Sequence, residues 1–181
     1  MDWDSKLFYE INGWAGHSAA LDWFMQECSN AGNFVVLALG FLAYRTWVNW
    51  KQGLIAVTML GVAIGLSDVM GMQLKLFFAR ARPCQVFLNM HELVGCGGAF
   101  SMPSNHAMNS ATAASLLWVV FPSTRWVVGV MMILVGLSRV YLGAHYPTDV
   151  LAGWGLGGMV GMTLGSIVIR LKWFQPETQK I

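Results

Sequence analysis

The stretch Ser138-Arg139-Val140-Tyr141-Leu142-Gly143-Ala144-His145-Tyr146-Pro147-Thr148-Asp149 interrupts an apolar region that otherwise runs from Trp126 to Ile169. Proline is tolerated in the first turn of a helix and disfavoured in its interior, so one helix ends near Leu142 and another begins near Pro147. The region therefore reads as two membrane spans joined by a short loop. Asp149 falls in the first turn of the second span, near the positive end of its dipole, with His145 just before it. Arg139 and Asp149 sit at the ends of hydrophobic segments, where a charge is costly unless it has a partner or a task. A carboxylate able to hold an imidazole in one tautomer, beside a fixed cation, suits an active site for an anion. An ion pair capping two membrane helices fits the same twelve residues equally well.

Composition sets the class. Of 181 residues, 56% are hydrophobic and 11% charged, with a mean hydropathy of +0.53. Soluble domains carry about 25% charged residues, so too few remain here to clothe a soluble surface. The expected fold is all-α, a polytopic membrane helix bundle of about five spans plus an N-terminal interfacial segment. The first fifteen residues lack the basic start and apolar run of a secretory signal peptide. A net charge of +2 is too small and dispersed for a nucleic-acid partner, and Cys28, Cys84 and Cys96 form no metal-binding pattern.

Working outward from the opening stretch, we expect a single membrane-embedded domain over 1–181. Residues 1–30 interleave Leu7, Phe8, Ile11 and Trp14 with Asp2, Asp4 and Glu10, a pattern for segments lying in the membrane interface. The helix bundle covers 33–170 and a polar cytoplasmic tail 171–181. The expected spans are 33–50, 53–78, 103–121, 126–142 and 148–169, each near the ~20 residues that a ~30 Å hydrocarbon core requires. Arg45 sits in the last turns of the first span and is placed to snorkel to the headgroups. Gly153, Gly157, Gly161 and Gly165 make a smooth helical stripe for close packing, within this chain or between chains, and Gly61 and Gly65 are expected to do likewise. Asp68, inside the second span, is expected to pair with Lys75 or Arg139.

Lys and Arg in short loops favour the cytoplasm. Placing Arg45, Lys51, Arg125 and Arg170 there puts the N-terminus, loop 79–102 and loop 143–147 outside. Lys75, Arg80, Arg82 and Arg139 then stand on the outer face against the usual bias, which an anionic ligand would explain. On that face Cys84 and Cys96 meet an oxidising compartment and are expected to form a disulfide.

Three blocks share this face. Lys75 and Arg82-Pro83 end the second span, and their cations can meet two oxygens of one phosphate. Pro103-Ser104-Asn105-His106 opens the third, where backbone amides and the dipole favour an anion. Alone, His106 reads more readily as a satisfied interfacial histidine. The third block is Arg139, His145 and Asp149.

Together, Lys75…Arg82-Pro83, Pro103-Ser104-Asn105-His106 and Ser138-Arg139…His145…Asp149 resemble the three signature motifs of the type 2 phosphatidic acid phosphatase superfamily, in order and spacing. Asn105 stands where that family usually has glycine. The short length and N-terminal segment look most like the small bacterial undecaprenyl pyrophosphate phosphatases. Phosphatidylglycerophosphate, phosphatidic acid and lipid A phosphatases are the alternatives. The resemblance implies that Lys75, Arg82, Ser104, Asn105 and Arg139 bind the substrate phosphate. It implies that His145 attacks phosphorus, Asp149 fixes its tautomer, and His106 serves as general acid and then base. Neither cofactor nor metal is expected, because three cations beside the histidines oppose a divalent ion. The implied partners are a phosphorylated membrane lipid and the bilayer, with the site on the outer face of a bacterial inner membrane. Two other classes remain: an anion or lipid transporter, against which the lack of an internal repeat counts, and a non-catalytic lipid-binding subunit.

Overall fold

The computed structural model describes residues 1–171, so all but the first residue of the expected tail lies outside it. The chain folds as a helix bundle: α1 (Trp3–Asn12), α2 (Ala19–Ser29), α3 (Ala31–Val48), α4 (Trp50–Phe78), the short α5 (Pro83–Val86), α6 (Asn105–Val120), α7 (Arg125–Tyr141) and α8 (Pro147–Ile169). Side-chain oxygens cap several starts: Asp2 receives Ser5 N at 2.7 Å, and Ser18, Asn30 and Ser104 do the same for α2, α3 and α6.

Among the described residues, four helices are long and apolar enough to cross a membrane: α3, α4, α7 with the turn before it, and α8. The other expected span, 103–121, becomes the 16-residue α6. At 1.5 Å per residue it is about 24 Å long, and it runs through the centre of the bundle rather than along its lipid-facing rim. The first boundary also moves. Asn49 adopts φ −148° and ψ 95°, and its side chain accepts Gln52 N, so α3 stops at Val48 and Trp50 opens α4. Arg45 does not reach outward as expected. Its guanidinium lies 4.5 Å from the Phe121 ring centroid and donates to Gln52 Oε1, closing the bundle end from inside.

The glycine stripe of α8 is spent on α6. A Cβ built at Gly153, Gly157 or Gly161 would meet Ser104 O at 2.7 Å, Met108 O at 2.0 Å or Thr112 O at 2.3 Å. Small residues of α6, among them Ala107, Ala111 and Ala114, complete the close approach. Thr112 adds polar contacts, its Oγ1 lying 2.6 Å from Ser67 Oγ and donating to Gly157 O at 3.1 Å. Within this chain Gly61 and Gly65 receive no neighbour, since nothing lies within 4 Å of a Cβ at either, and Gly71 instead packs against Asn105.

We predict that Gly157→Leu forces α6 and α8 apart and destabilises the detergent-solubilised protein by at least about 2 kcal/mol. Gly155→Leu, on the same helix but facing open space, leaves the melting temperature within about a degree, roughly the change expected of an uncrowded surface substitution. Equal melting of the two variants would contradict the packing account.

The N-terminal segment is amphipathic as expected, and it is also docked onto the bundle end. Asn12 Nδ2 donates to His91 O and Tyr141 O at 2.7 and 2.8 Å, and Asn12 Oδ1 accepts His91 N. Tyr141 donates to Asp22 at 2.7 Å. Phe8 is fully buried against Phe87 and Tyr146. Within loop 79–102, Cys84 and Cys96 form a disulfide, and Ala81 pairs with Phe100 in an isolated β-bridge.

Candidate active site

The bundle end that carries α1 also gathers the three sequence blocks. After Tyr141, Gly143 turns the chain at φ +82° in a space bounded by Met90 and His91, where a side chain would be strained and would clash. The amides of Ala144 and His145 both donate back to Arg139 O, at 3.0 and 3.2 Å. This hairpin sets His145 between the end of α7 and the start of α8, with 2% of its surface exposed.

Asp149, fully buried, lies one turn on. Its Oδ2 accepts Tyr146 N at 2.9 Å and lies 3.5 Å from His145 Nδ1. That separation is long for a hydrogen bond, as catalytic contacts without substrate often are. Its direction leaves Nε2 as the nitrogen free to react. Asp149 O also receives Ser104 N at 3.0 Å, which locks the start of α6 against α8.

Ser104 Oγ caps α6 through Ala107 N. The first four amides of a helix have no intrahelical partner, so those of Asn105 and His106 remain at its mouth. The expectation for Asn105 needs qualification, because its side chain turns away from the mouth. It packs under Gly71 and its Nδ2 reaches Asp68 Oδ1 at 3.5 Å. Asp68 accepts Asn109 Nδ2 at 2.8 Å as well. Asp68 is thus paired with amides of α6, not with Lys75 or Arg139 as expected, because its helix faces α6 at that level.

The three expected cations converge. Lys75 Nζ donates to Pro103 O, Ser101 O and Phe100 O at 2.6, 3.2 and 3.4 Å, drawing in the strand of chain that leads to Ser104. Arg82 is buried and donates to Ala144 O at 3.3 Å, its guanidinium lying against the space that Gly97 leaves open. Arg139 is buried and donates to Ser29 at the end of α2. All three act electrostatically on both His106 and His145. Their recorded contacts are neutral carbonyls and a hydroxyl, so positive charge accumulates there in excess of its local compensation.

Burial pushes the His145 imidazole down to about 3; the charges of Arg139, Arg82 and Lys75 push the same way, and contact with Asp149 opposes them. The balance of these influences favours the neutral ring. Its folded value lies below the ordinary value of about 6.5, so the unfolded chain takes up the proton first as pH falls. The stability tied to a neutral His145 is whole above about pH 6.5 and is lost as the pH falls from there toward 3. We expect the melting temperature to drop between pH 7.5 and 5 by more in the wild-type chain than in His145→Gln. Parallel curves would refute this.

The sequence reading missed three participants. In the sequence Arg80 reads only as one of the outer cations. It contacts Asp149, Asp4 and Thr148, at 2.8, 2.6 and 2.6 Å. Its nearness to Arg82 was a usable signal; for Asp4 and Thr148 there was none, since they lie 144 residues apart.

Beside His106 a cavity of about 350 Å³ opens between α3, α4 and α6, lined by Asp68, Asn105 and then by Phe34, Leu60 and Ile64. A second, of about 500 Å³, shares Phe34, Ala38 and Ser110 with it and continues along α7 to Thr124. Their shared lining makes an apolar surface that extends from His106 to Thr124.

A family model described as the PAP2 superfamily matches residues 52–173. The chain is 35% identical over 111 residues to an undecaprenyl-diphosphatase of Sulfolobus acidocaldarius, over 61% of this chain and 52% of that one. It therefore spans about half of that relative's length. It is 33% identical over 155 residues to phosphatidylglycerophosphatase B of Bacillus subtilis, over 79% of this chain and 70% of the relative. Among solved structures, Aquifex aeolicus LpxE superposes with a TM-score of 0.70 at 26% identity, over 92% of this chain and 94% of that one.

Proposed function

The chain belongs to the PAP2 superfamily, and on that footing we propose that it is a metal-independent membrane lipid phosphatase converting undecaprenyl pyrophosphate to undecaprenyl phosphate. The observation that carries the reading is the buried His145, backed by Asp149 and ringed by Lys75, Arg82 and Arg139. These are the parts required for phosphoryl transfer to a nitrogen nucleophile without a metal.

His145 Nε2 attacks the terminal phosphorus in line, forming a P–N bond as the bond to the bridging oxygen breaks. Lys75, Arg82, Arg139 and the amides at the start of α6 take up charge on the equatorial oxygens. Ser104 adds its hydroxyl. Asn105 contributes its backbone amide, its side chain being held by Asp68. Asp149 stabilises the imidazolium that forms on His145. His106 gives its proton to the departing oxygen of undecaprenyl phosphate, then takes one from the water that cleaves the phosphohistidine. Inorganic phosphate leaves and both histidines return to their starting state.

The apolar surface beside His106 supports a substrate whose chain stays at lipid depth while its phosphate reaches the site. Arg45, Lys51, Arg125 and Arg170 at the opposite end favour the cytoplasm, which supports the outer face of a bacterial inner membrane for the site. A second reading, phosphatidylglycerophosphate hydrolysis, is favoured by the more extensive match to the Bacillus relative.

The deciding experiment is phosphate release, in detergent with excess EDTA, from undecaprenyl pyrophosphate, phosphatidylglycerophosphate, phosphatidate and lipid A. The highest kcat/KM is expected with undecaprenyl pyrophosphate, undiminished by EDTA. A higher value with another lipid moves the assignment to that lipid. Turnover of none, with substantial anion flux in liposomes, replaces the enzyme by a transporter.

A further inference from the structure

We propose that Arg80 and Asp4 are positioning residues for the His145–Asp149 pair, with the N-terminal helix supplying the second carboxylate of an Asp4–Arg80–Asp149 bridge. The kinetic consequences rest on the phosphatase reading; the geometry does not.

Arg80 differs from the other three cations at this end. Lys75, Arg82 and Arg139 contact neutral acceptors, whereas Arg80 forms ion pairs with two carboxylates. One terminal nitrogen holds Asp149 Oδ1 at 2.8 Å and Thr148 Oγ1 at 2.6 Å; the other holds Asp4 Oδ2 at 2.6 Å. Its guanidinium carbon stands 3.8 Å from the centre of the Tyr146 ring. Burial works against its charge, but Asp4 and Asp149 outweigh that and raise its pKa. With its donors committed in this way, Arg80 is not arranged to receive a phosphate.

What the bridge does follows from the two oxygens of Asp149. Arg80 fixes Oδ1 and the Tyr146 amide fixes Oδ2, so the plane of the carboxylate is set and Oδ2 is presented to His145 Nδ1. Without Arg80 the carboxylate can turn about its last bond, and the imidazole loses the acceptor that selects its tautomer.

Asp4 answers a charge problem. Asp149 paired with one guanidinium is neutral overall and would stabilise an imidazolium poorly. Two carboxylates around one guanidinium leave a net charge of −1, facing the ring that becomes positive as it accepts the phosphoryl group. Asp4 is itself fixed at both oxygens: Oδ1 accepts Thr148 N at 2.9 Å, and Oδ2 accepts Thr148 Oγ1 at 2.5 Å. It is 5% exposed on α1, one turn before the buried Phe8.

A simple staple between α1 and α8 would show the same contacts, so the test must read the histidine itself. Protein labelled with 15N-histidine is measured in detergent, and His145 is assigned by its loss in His145→Gln. We expect a single tautomer in the wild type, with the proton on Nδ1. We expect a mixture in both Arg80→Gln and Asp4→Asn, and a return to one tautomer in Asp4→Glu. With undecaprenyl pyrophosphate, Asp4→Asn should lower kcat by about 10- to 100-fold while KM stays within about twofold. Added to Asp149→Asn it should cost little more. Glu10→Gln, on the exposed side of the same helix, serves as the unchanged control.

An unaltered single tautomer in folded Asp4→Asn overturns the proposal, as does a kcat loss that simply adds to that of Asp149→Asn. Asp4→Asn keeps the question answerable if Arg80→Gln does not fold. Should the wild type hydrolyse none of the lipids, the phosphatase reading falls and the tautomer measurement still decides this one.

Discussion

His145→Ala is expected to abolish phosphate release, lowering kcat by at least about 10⁴-fold, and to leave no covalently held phosphate after an alkaline quench. The loss is large because in the proposed route this side chain forms the bond to phosphorus, and removing a nucleophile removes the whole covalent route. The imidazole is 2% exposed, with Nδ1 turned to Asp149, so another residue cannot readily take its place. Folding should survive, since the recorded backbone bonds of this hairpin run through the main chain of Arg139 and not through the ring. A variant that melts like the wild type and retains a tenth of its activity would refute the phosphohistidine route.

The second large effect belongs to Arg82. Arg82→Lys keeps the charge and removes the planar fork, and we expect kcat/KM to fall by about 10²-fold. The guanidinium is buried, reaches Ala144 O beside His145, and fits against Gly97. An ammonium group is a point charge that can meet one phosphate oxygen but cannot bridge two while keeping the loop contact. A loss below about threefold, in a measurement with saturating and limiting lipid, would reduce Arg82 to a provider of field alone. Arg82→Gln, lacking the charge as well, should lose more than the lysine variant.

Much of this was legible from residue order. Apolar runs marked the spans because a ~30 Å hydrocarbon layer imposes a length on any helix that crosses it. Pro147 and Ser104 marked two of the helix starts for local reasons, proline fitting a first turn and a serine oxygen capping one. The motif residues that carry the proposed chemistry could be named because their order and spacing resemble the three signature motifs of a known family.

Other features depended on how side chains separated by many residues come to share space. Asp68 reads as a partner for a cation, yet it meets Asn105 and Asn109 because α4 faces α6 at that level. Arg45 reads as an outward-reaching residue, and packing against Phe121 turned it inward. Gly61 and Gly65 repeat the spacing of the α8 stripe without a neighbour in this chain to receive them.

The chain's order alone determined the membrane class and the helical bundle, which depend on hydropathy, and it named the residues of the proposed chemistry through their resemblance to a family's motifs. Only the tertiary structure decided that Arg80 belongs to two carboxylates rather than to a phosphate, and that Asp4 reaches the site from the far end of the chain. Ion-pair partners are chosen by distance in space, and for Asp4 and Thr148 that distance closes only once α1 has docked beside α8.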